Sequence, residues 1–199
     1  MSEEDRRKWN KRYAAGAYAT RPAPSAWVQQ WLPDAPVGRA LDVACGLGRN
    51  ARFLAQADFA VDGVDISSEA LSRAAALARS EGVEVSWREC DLEQGLPEDC
   101  VGYQLIIMIR YVNAALLEDL CARLAPGGYL LVEEHLRTAE QVAGPDNPLF
   151  RVAPGELRQA LVGLQVLGAE ESVLTDPDGA RVALARVAAR RPVQAGSTD

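Results

Sequence analysis

Short apolar runs recur along this chain at Ala40–Ala44, Ala60–Ile66, Val83–Trp87, Leu105–Ile109 and Tyr129–Val132, and segments of helical period lie between most of them. That alternation constrains the fold more than any other feature. Parallel strands need crossovers of a dozen or more residues, and helices supply them in the right-handed sense. The best helix is "SSEALSRAAALARSEG": Ser67 or Ser68 caps it, Glu69 suits the positive end of its dipole, Leu71, Ala74, Ala75 and Ala78 line one face, and Gly82 closes it. After Pro154 the rhythm changes. A helix over about Glu156–Val162 precedes two strand-like runs, Gln165–Leu174 and Arg181–Ala188, joined only by the turn residues "TDPDGA", which predicts an antiparallel hairpin. The expected fold is α/β: one Rossmann-like domain, a seven-stranded, mostly parallel sheet with a C-terminal antiparallel hairpin and helices on both faces.

The first residues read differently. Trp9, Trp27 and Trp31, a basic cluster from Arg6 to Arg12 and four prolines fall before Arg39, predicting two short helices, roughly 4–13 and 24–32. The expected division is a helical lid segment over 1–36, a ligand-binding domain over 37–190 and a disordered tail over 191–199. A net charge of −7 disfavours nucleic acid and anionic membranes as partners. The charged N-terminus has no signal-peptide core, no run approaches membrane-span length, and Cys45, Cys90, Cys100 and Cys121 lack paired spacing. Reduced thiols in a cytoplasmic protein, with neither zinc nor disulfides, are expected.

"LDVACGLGRN" places Gly46, Gly48 and Ala51 between a strand and a helix in the loose pattern of a nucleotide-binding turn. Asp65 ends the next strand 17 residues after Gly48, where a carboxylate can accept both ribose hydroxyls. A nicotinamide dinucleotide fits these features too. Three others favour S-adenosylmethionine: Asp42 before the glycines suits a cationic ligand end, Asp91 beyond the third strand suits an adenine amino group, and the terminal hairpin replaces a further parallel strand.

From Trp9 to Ala189 the chain resembles the class I S-adenosylmethionine-dependent methyltransferases. "LDVACGLGRNARFLA" resembles their first motif, with Ala44 in place of the usual first glycine, a change that costs little at negative φ. "VDGVDIS" resembles the second, which implies that Asp65 holds the ribose and Ile66 flanks the adenine. "ECDLE" resembles the third and implies an adenine-edge role for Asp91 and Leu92, while "LAPGGYLLVEE" resembles the turn into the fifth strand. "GRN", "PGGY" and "NPLFRVAPGELRQALVGLQVLGAEE" are similar to the tellurite-resistance branch. "KWNKRYAAGAYATRPAPS" is similar to the cofactor-covering segment of that branch and of thiopurine-type enzymes, which brings Tyr13 to the cofactor. Asn50 and Ile109 complete the expected cofactor set. Only Arg181 can match the basic pair expected near the sixth strand of tellurite enzymes.

The resemblance implies methyl transfer to a small-molecule acceptor of anionic, thiol or metalloid-oxyanion type. Acceptor sites in open α/β sheets lie at the carboxyl ends of strands, which nominates Arg110 with Tyr111 after "LIIMI", and His135 after "YLLVEE", with Glu133 and Glu134 able to hold its proton. Arg151, in the long segment Arg137–Ala153, is the second cation for an anionic acceptor. Gln104 begins the fourth strand where many relatives have Asp, and Arg110 stands where catechol-type enzymes place metal carboxylates, so no metal is expected. A non-catalytic S-adenosylmethionine-binding module and a nicotinamide-dependent oxidoreductase are the alternatives; the protein is expected to be a monomer or homodimer.

Overall fold

The computed structural model describes residues 3–193, so most of the tail expected to be disordered, residues 194–199, lies outside the described residues. Seven strands form one sheet: β1 (Arg39–Val43), β2 (Ala60–Asp65), β3 (Ser86–Glu89), β4 (Tyr103–Ile109), β5 (Leu124–His135), β6 (Gln165–Thr175) and β7 (Arg181–Arg190), in the spatial order β3-β2-β1-β4-β5-β7-β6. The pairs β1·β2, β1·β4, β2·β3 and β4·β5 are parallel, whereas β7 runs antiparallel to both β5 and β6. The helices are α1 (Glu3–Ala14), α2 (Ala26–Trp31), α3 (Arg49–Gln56), α4 (Ser68–Glu81), α5 (Ala114–Arg123) and α6 (Glu156–Ala160). None is long and apolar enough to cross a membrane.

Strand pleating divides the core into two layers. Leu41, Val43, Ile106, Met108, Leu130 and Val132 pack with Leu116, Leu117 and Leu120 of α5 and Leu157 of α6. Their neighbours Ala40, Leu105, Ile107 and Leu131 pack with Trp27 and Val28 of α2 and Ala51 and Leu54 of α3. Each fully buried Leu or Ile contributes about 1.5–3 kcal/mol, so the central strands are the rigid part. α1 is held differently. Acidic Glu3, Glu4 and Asp5 at its start and Lys11 and Arg12 at its end suit the helix dipole, but Tyr13 is the residue it buries.

The best sequence helix has the predicted caps: Ser67 Oγ accepts the Ala70 N–H, and Gly82, in the left-handed region at φ +70°, closes it. Several boundaries differ from expectation, and β5 runs from Leu124 to His135, well beyond Tyr129–Val132. β3 begins at Ser86 and not Val83, because the chain leaves Gly82 in a turn whose Val83 N–H still bonds the Ala78 carbonyl. Pro33 ends α2 early and continues it as a 3-10 turn over Leu32–Asp34. α6 stops at Ala160, two residues short of Val162.

Candidate functional site

The carboxyl ends of β1 and β2 meet in a cradle of backbone amides. After Val43 the chain enters the left-handed region at Ala44 (φ +54°), Gly46 (φ +54°) and Gly48 (φ +69°) before α3 begins at Arg49. The expectation of negative φ at Ala44 therefore fails: the turn requires a conformation that costs an L-residue about 1–2 kcal/mol. A Cβ on Gly48 would lie 2.4 Å from the Trp87 ring, so glycine is needed there for space as well as for φ. Asp65 is buried at the end of β2, and its oxygens accept the Gly46 and Ser67 N–H groups, both at 2.8 Å. Asp42 Oδ2 accepts the Ala51 N–H at 3.0 Å, inside the first turn of α3. Asp42, expected to suit a cationic ligand end, thus has one of its oxygens on a helix amide. Burial pushes its pKa up to about 7 and raises that of Asp65.

The N-terminal segment lies across this edge. Asn10 of α1 accepts from Ser67 Oγ at 2.7 Å, and Arg73 of α4 donates to the Ala14 carbonyl at 3.2 Å. Tyr13 covers the glycine turn: a Cβ on Gly46 would lie 2.6 Å from its hydroxyl. Trp9, Tyr13 and Tyr18 form a ring series with centroids about 6 Å apart (6.0 and 5.9 Å). The strap continues to the β6–β7 turn, where Arg21 Nε meets Asp178 Oδ2 at 2.6 Å. Asn50, expected at the cofactor, instead accepts the Ser25 N–H at 2.8 Å and pins the strap's far end; Arg49 donates to the Ala23 carbonyl beside it.

On the other side of Asp65, Ile66 and Leu92 are buried apolar groups, and Ile109 is buried at the end of β4. Asp91 accepts from the Glu93 N–H at 3.1 Å and from Gln94 Nε2 at 3.0 Å, which fixes its carboxylate in the turn after β3. Burial raises the pKa of Tyr111, the residue that follows Arg110.

Arg110 follows β4 in the left-handed region (φ +65°), with its N–H on the Glu133 carbonyl. Its guanidinium lies between Glu133 Oε1 at 3.0 Å and Asp176 Oδ1 at 2.9 Å. Glu133 also accepts from Ser25 Oγ at 3.1 Å and Arg186 Nε at 3.0 Å. Arg110, expected to hold an anionic acceptor, is compensated by these two carboxylates, while its Nη1 is buried without a hydrogen-bond partner. Neither of the expected proton partners bonds His135 Nδ1, which has no hydrogen-bond partner. Glu133 holds two arginines, and Glu134 accepts the Tyr111 N–H at 3.1 Å while burial raises its pKa well above the carboxylate range. His135 is kept neutral by burial and by Arg110, Arg151 and Arg21, which push its pKa down to about 3. Arg151 is half-buried and donates to the carbonyls of Pro145 and Leu136, stapling its own loop.

Sequence reasoning missed Ser25, Arg49, Asp176 and Arg186. Asp176 was read only as a turn residue. The one available signal was Arg186, a charge in the middle of the apolar run "RVALARVAAR".

Residues 40–128 match the family model described as a methyltransferase domain. The chain is 30% identical over 126 residues to a ubiquinone biosynthesis O-methyltransferase of Caulobacter sp. strain K31, covering 59% of this chain and 50% of that one. It spans about half the length of the curated relatives it matches. Among solved structures, TehB from Haemophilus influenzae superposes with a TM-score of 0.71 at 22% identity, over 92% of this chain and 67% of that one. The [4+2]-cyclase SpnF superposes with a TM-score of 0.75 at 18% identity, over 97% of each chain. At these identities the structural likeness concerns the fold.

Proposed function

We propose that residues 40–128, which match a methyltransferase-domain model, form a class I S-adenosylmethionine-dependent methyltransferase domain, and that the protein methylates a small-molecule acceptor of anionic, thiol or oxyanion type. The fold alone does not carry this reading, since a [4+2]-cyclase shares it. The carrying observation is Asp65: its two oxygens are fixed by the Gly46 and Ser67 amides. A carboxylate has about four lone-pair sites, and with the Ile66 amide also acting on this group, one remains for a ribose hydroxyl. Ile66 and Leu92 then flank the adenine, and the turn from Ala44 to Gly48, with the Tyr13 hydroxyl over Gly46, receives the methionine end. The bound cofactor supplies a methyl group already activated on a sulfonium. What remains for the protein is alignment and exclusion of water. The strap from Trp9 to Ser25 excludes water, and the ends of β4, β5 and β7 position the acceptor.

The strap and the "GRN" turn support a place beside the tellurite-resistance and thiopurine-type branch. Tellurite itself is not the acceptor we propose, because Arg181 is tied to the Glu140 carboxylate and the Gln141 carbonyl. The four cysteines are free thiols, which supports a reducing, cytoplasmic setting. The test is release of S-adenosylhomocysteine from S-adenosylmethionine across panels of thiols, carboxylates, selenite and hydroxyl compounds. Turnover with at least one acceptor supports the proposal. Binding of the cofactor without turnover on any panel contradicts it and leaves a binding module.

A further inference from the structure

The cradle lies at the carboxyl ends of β1 and β2. At the opposite, amino-terminal end of β2 and β3 the surface opens into a groove of about 620 Å³, within the size range of small-molecule sites. Its origin is local. α4 lines it with Ala75 and Ala78, too small to fill the space beside Val61, Val85 and Trp87. One edge of the Trp87 indole packs against Gly48 and Gly63, where an added Cβ would lie 2.4 and 2.7 Å from the ring. The indole is therefore held in place, half-buried, and lines the groove as a fixed aromatic wall.

Four charged residues line the same groove, and they divide into two kinds. Arg39 and Asp62 pair with each other at 3.0 Å, and Asp62 also accepts from the Tyr103 hydroxyl at 2.7 Å. Arg79, in the last turn of α4, and Glu84, just beyond its Gly82 cap, form no ion pair among the described residues, not even with each other. A ligand bearing only a carboxylate would meet Glu84, and one bearing only an ammonium would meet Arg79. A ligand that carries both groups on a planar apolar body complements both charges and the Trp87 ring.

We propose that this groove binds a small aromatic zwitterion with the chemistry of an aromatic α-amino acid. Its ring packs on Trp87, Val61 and Val85, its carboxylate meets Arg79 and its ammonium meets Glu84. The site is separate from the cradle and does not depend on methyl transfer.

Calorimetry on the full chain tests this, with L-phenylalanine as the probe and excess S-adenosylhomocysteine to keep amino acids out of the cradle. One saturable site is expected. 3-Phenylpropanoate lacks the ammonium and 2-phenylethylamine lacks the carboxylate, so each is expected to bind about fivefold more weakly, the upper range for an exposed ion pair. Arg79→Gln is expected to weaken L-phenylalanine by about the same factor and to leave 2-phenylethylamine unchanged. Glu84→Gln is expected to weaken L-phenylalanine and to leave 3-phenylpropanoate unchanged. Both side chains are exposed, so neither change threatens the fold. Ala75→Leu, which fills the groove with a good helix former, is expected to abolish binding of all three compounds. The proposal is overturned by absent binding, by equal affinities for the three compounds, by binding that S-adenosylhomocysteine displaces, or by binding that Ala75→Leu leaves intact. If S-adenosylhomocysteine itself fails to bind, the methyltransferase reading falls, and the three substitutions still decide the groove.

Discussion

Asp65 Oδ2 accepts the Gly46 N–H at 2.8 Å, and this bond joins the end of β2 to the glycine turn after β1. One residue thereby shapes the cradle and presents a lone pair to its contents. Asp65→Asn keeps one acceptor oxygen, while Asp65→Ala leaves the Gly46 and Ser67 amides unpaired. Each buried unpaired amide costs about 1–3 kcal/mol, so Asp65→Ala is expected to lower the denaturation midpoint more than Asp65→Asn. Equal midpoints for the two variants would mean that these amides find other partners.

Ala44 occupies a left-handed turn position without being glycine. Ala44→Gly is expected to stabilise the protein by about 1 kcal/mol, since relief of the αL strain outweighs the added freedom of the unfolded chain. Urea denaturation measures this directly; a destabilised variant would show that the Ala44 methyl contributes more packing than its backbone strain costs.

Asp42 has a pKa raised by burial to about 7. The native state therefore holds this proton more tightly than the unfolded chain, whose value is near 3.8. Its contribution is fully present below pH about 4 and is lost as pH rises through about 7. Asp42→Asn, which retains an acceptor for the Ala51 N–H, is expected to remove that dependence and to be more stable than the parent at pH 8. Thermal midpoints from pH 4 to 8 for both proteins check this, and parallel curves would refute it.

Arg110 compensates two buried carboxylates, Glu133 and Asp176. Removing one partner of such a cluster costs about 3–5 kcal/mol. Arg110→Ala is expected to be strongly destabilised, with S-adenosylhomocysteine affinity of the folded fraction little changed. A variant of parental stability whose acceptor KM has risen would return Arg110 to the role of acceptor ligand.

α1 is held to α4 by Asn10 and Arg73, with bonds worth about 0.5–1.5 kcal/mol each. Apolar burial holds the central strands much more strongly, so the strap is the segment expected to open first. Asn10→Ala should accelerate dissociation of S-adenosylhomocysteine and proteolytic cleavage within residues 3–24. Unchanged rates in both measurements would show that closure does not depend on this contact.

The sheet was legible because periodicity and turn chemistry act locally. Ser67 and Gly82 cap α4 as their residue types require, and "TDPDGA" turns β6 into β7. The glycine turn and Asp65 were legible for the same reason. What lay beyond local reading was pairing across the sheet. Whether Arg110 is free depends on Asp176, 66 residues away in sequence, and whether Glu133 serves His135 depends on Ser25 and Arg186. Asn50 looked like a cofactor contact from its place after the glycines, yet its oxygen holds the strap. The sign of φ at Ala44 is likewise set by where α3 must begin and cannot be read from the residue.

The central claim is that the cradle from Ala44 to Asp65 binds S-adenosylmethionine and its product. Calorimetric titration of the protein and of Asp65→Ala with S-adenosylhomocysteine, with NADH as a control ligand, tests it most directly. The account predicts one saturable site for S-adenosylhomocysteine, none for NADH, and a loss of about 1–3 kcal/mol of binding in Asp65→Ala, the scale of charge-assisted hydrogen bonds to a ribose. Binding of NADH in place of S-adenosylhomocysteine, or equal affinities for parent and variant, would contradict it.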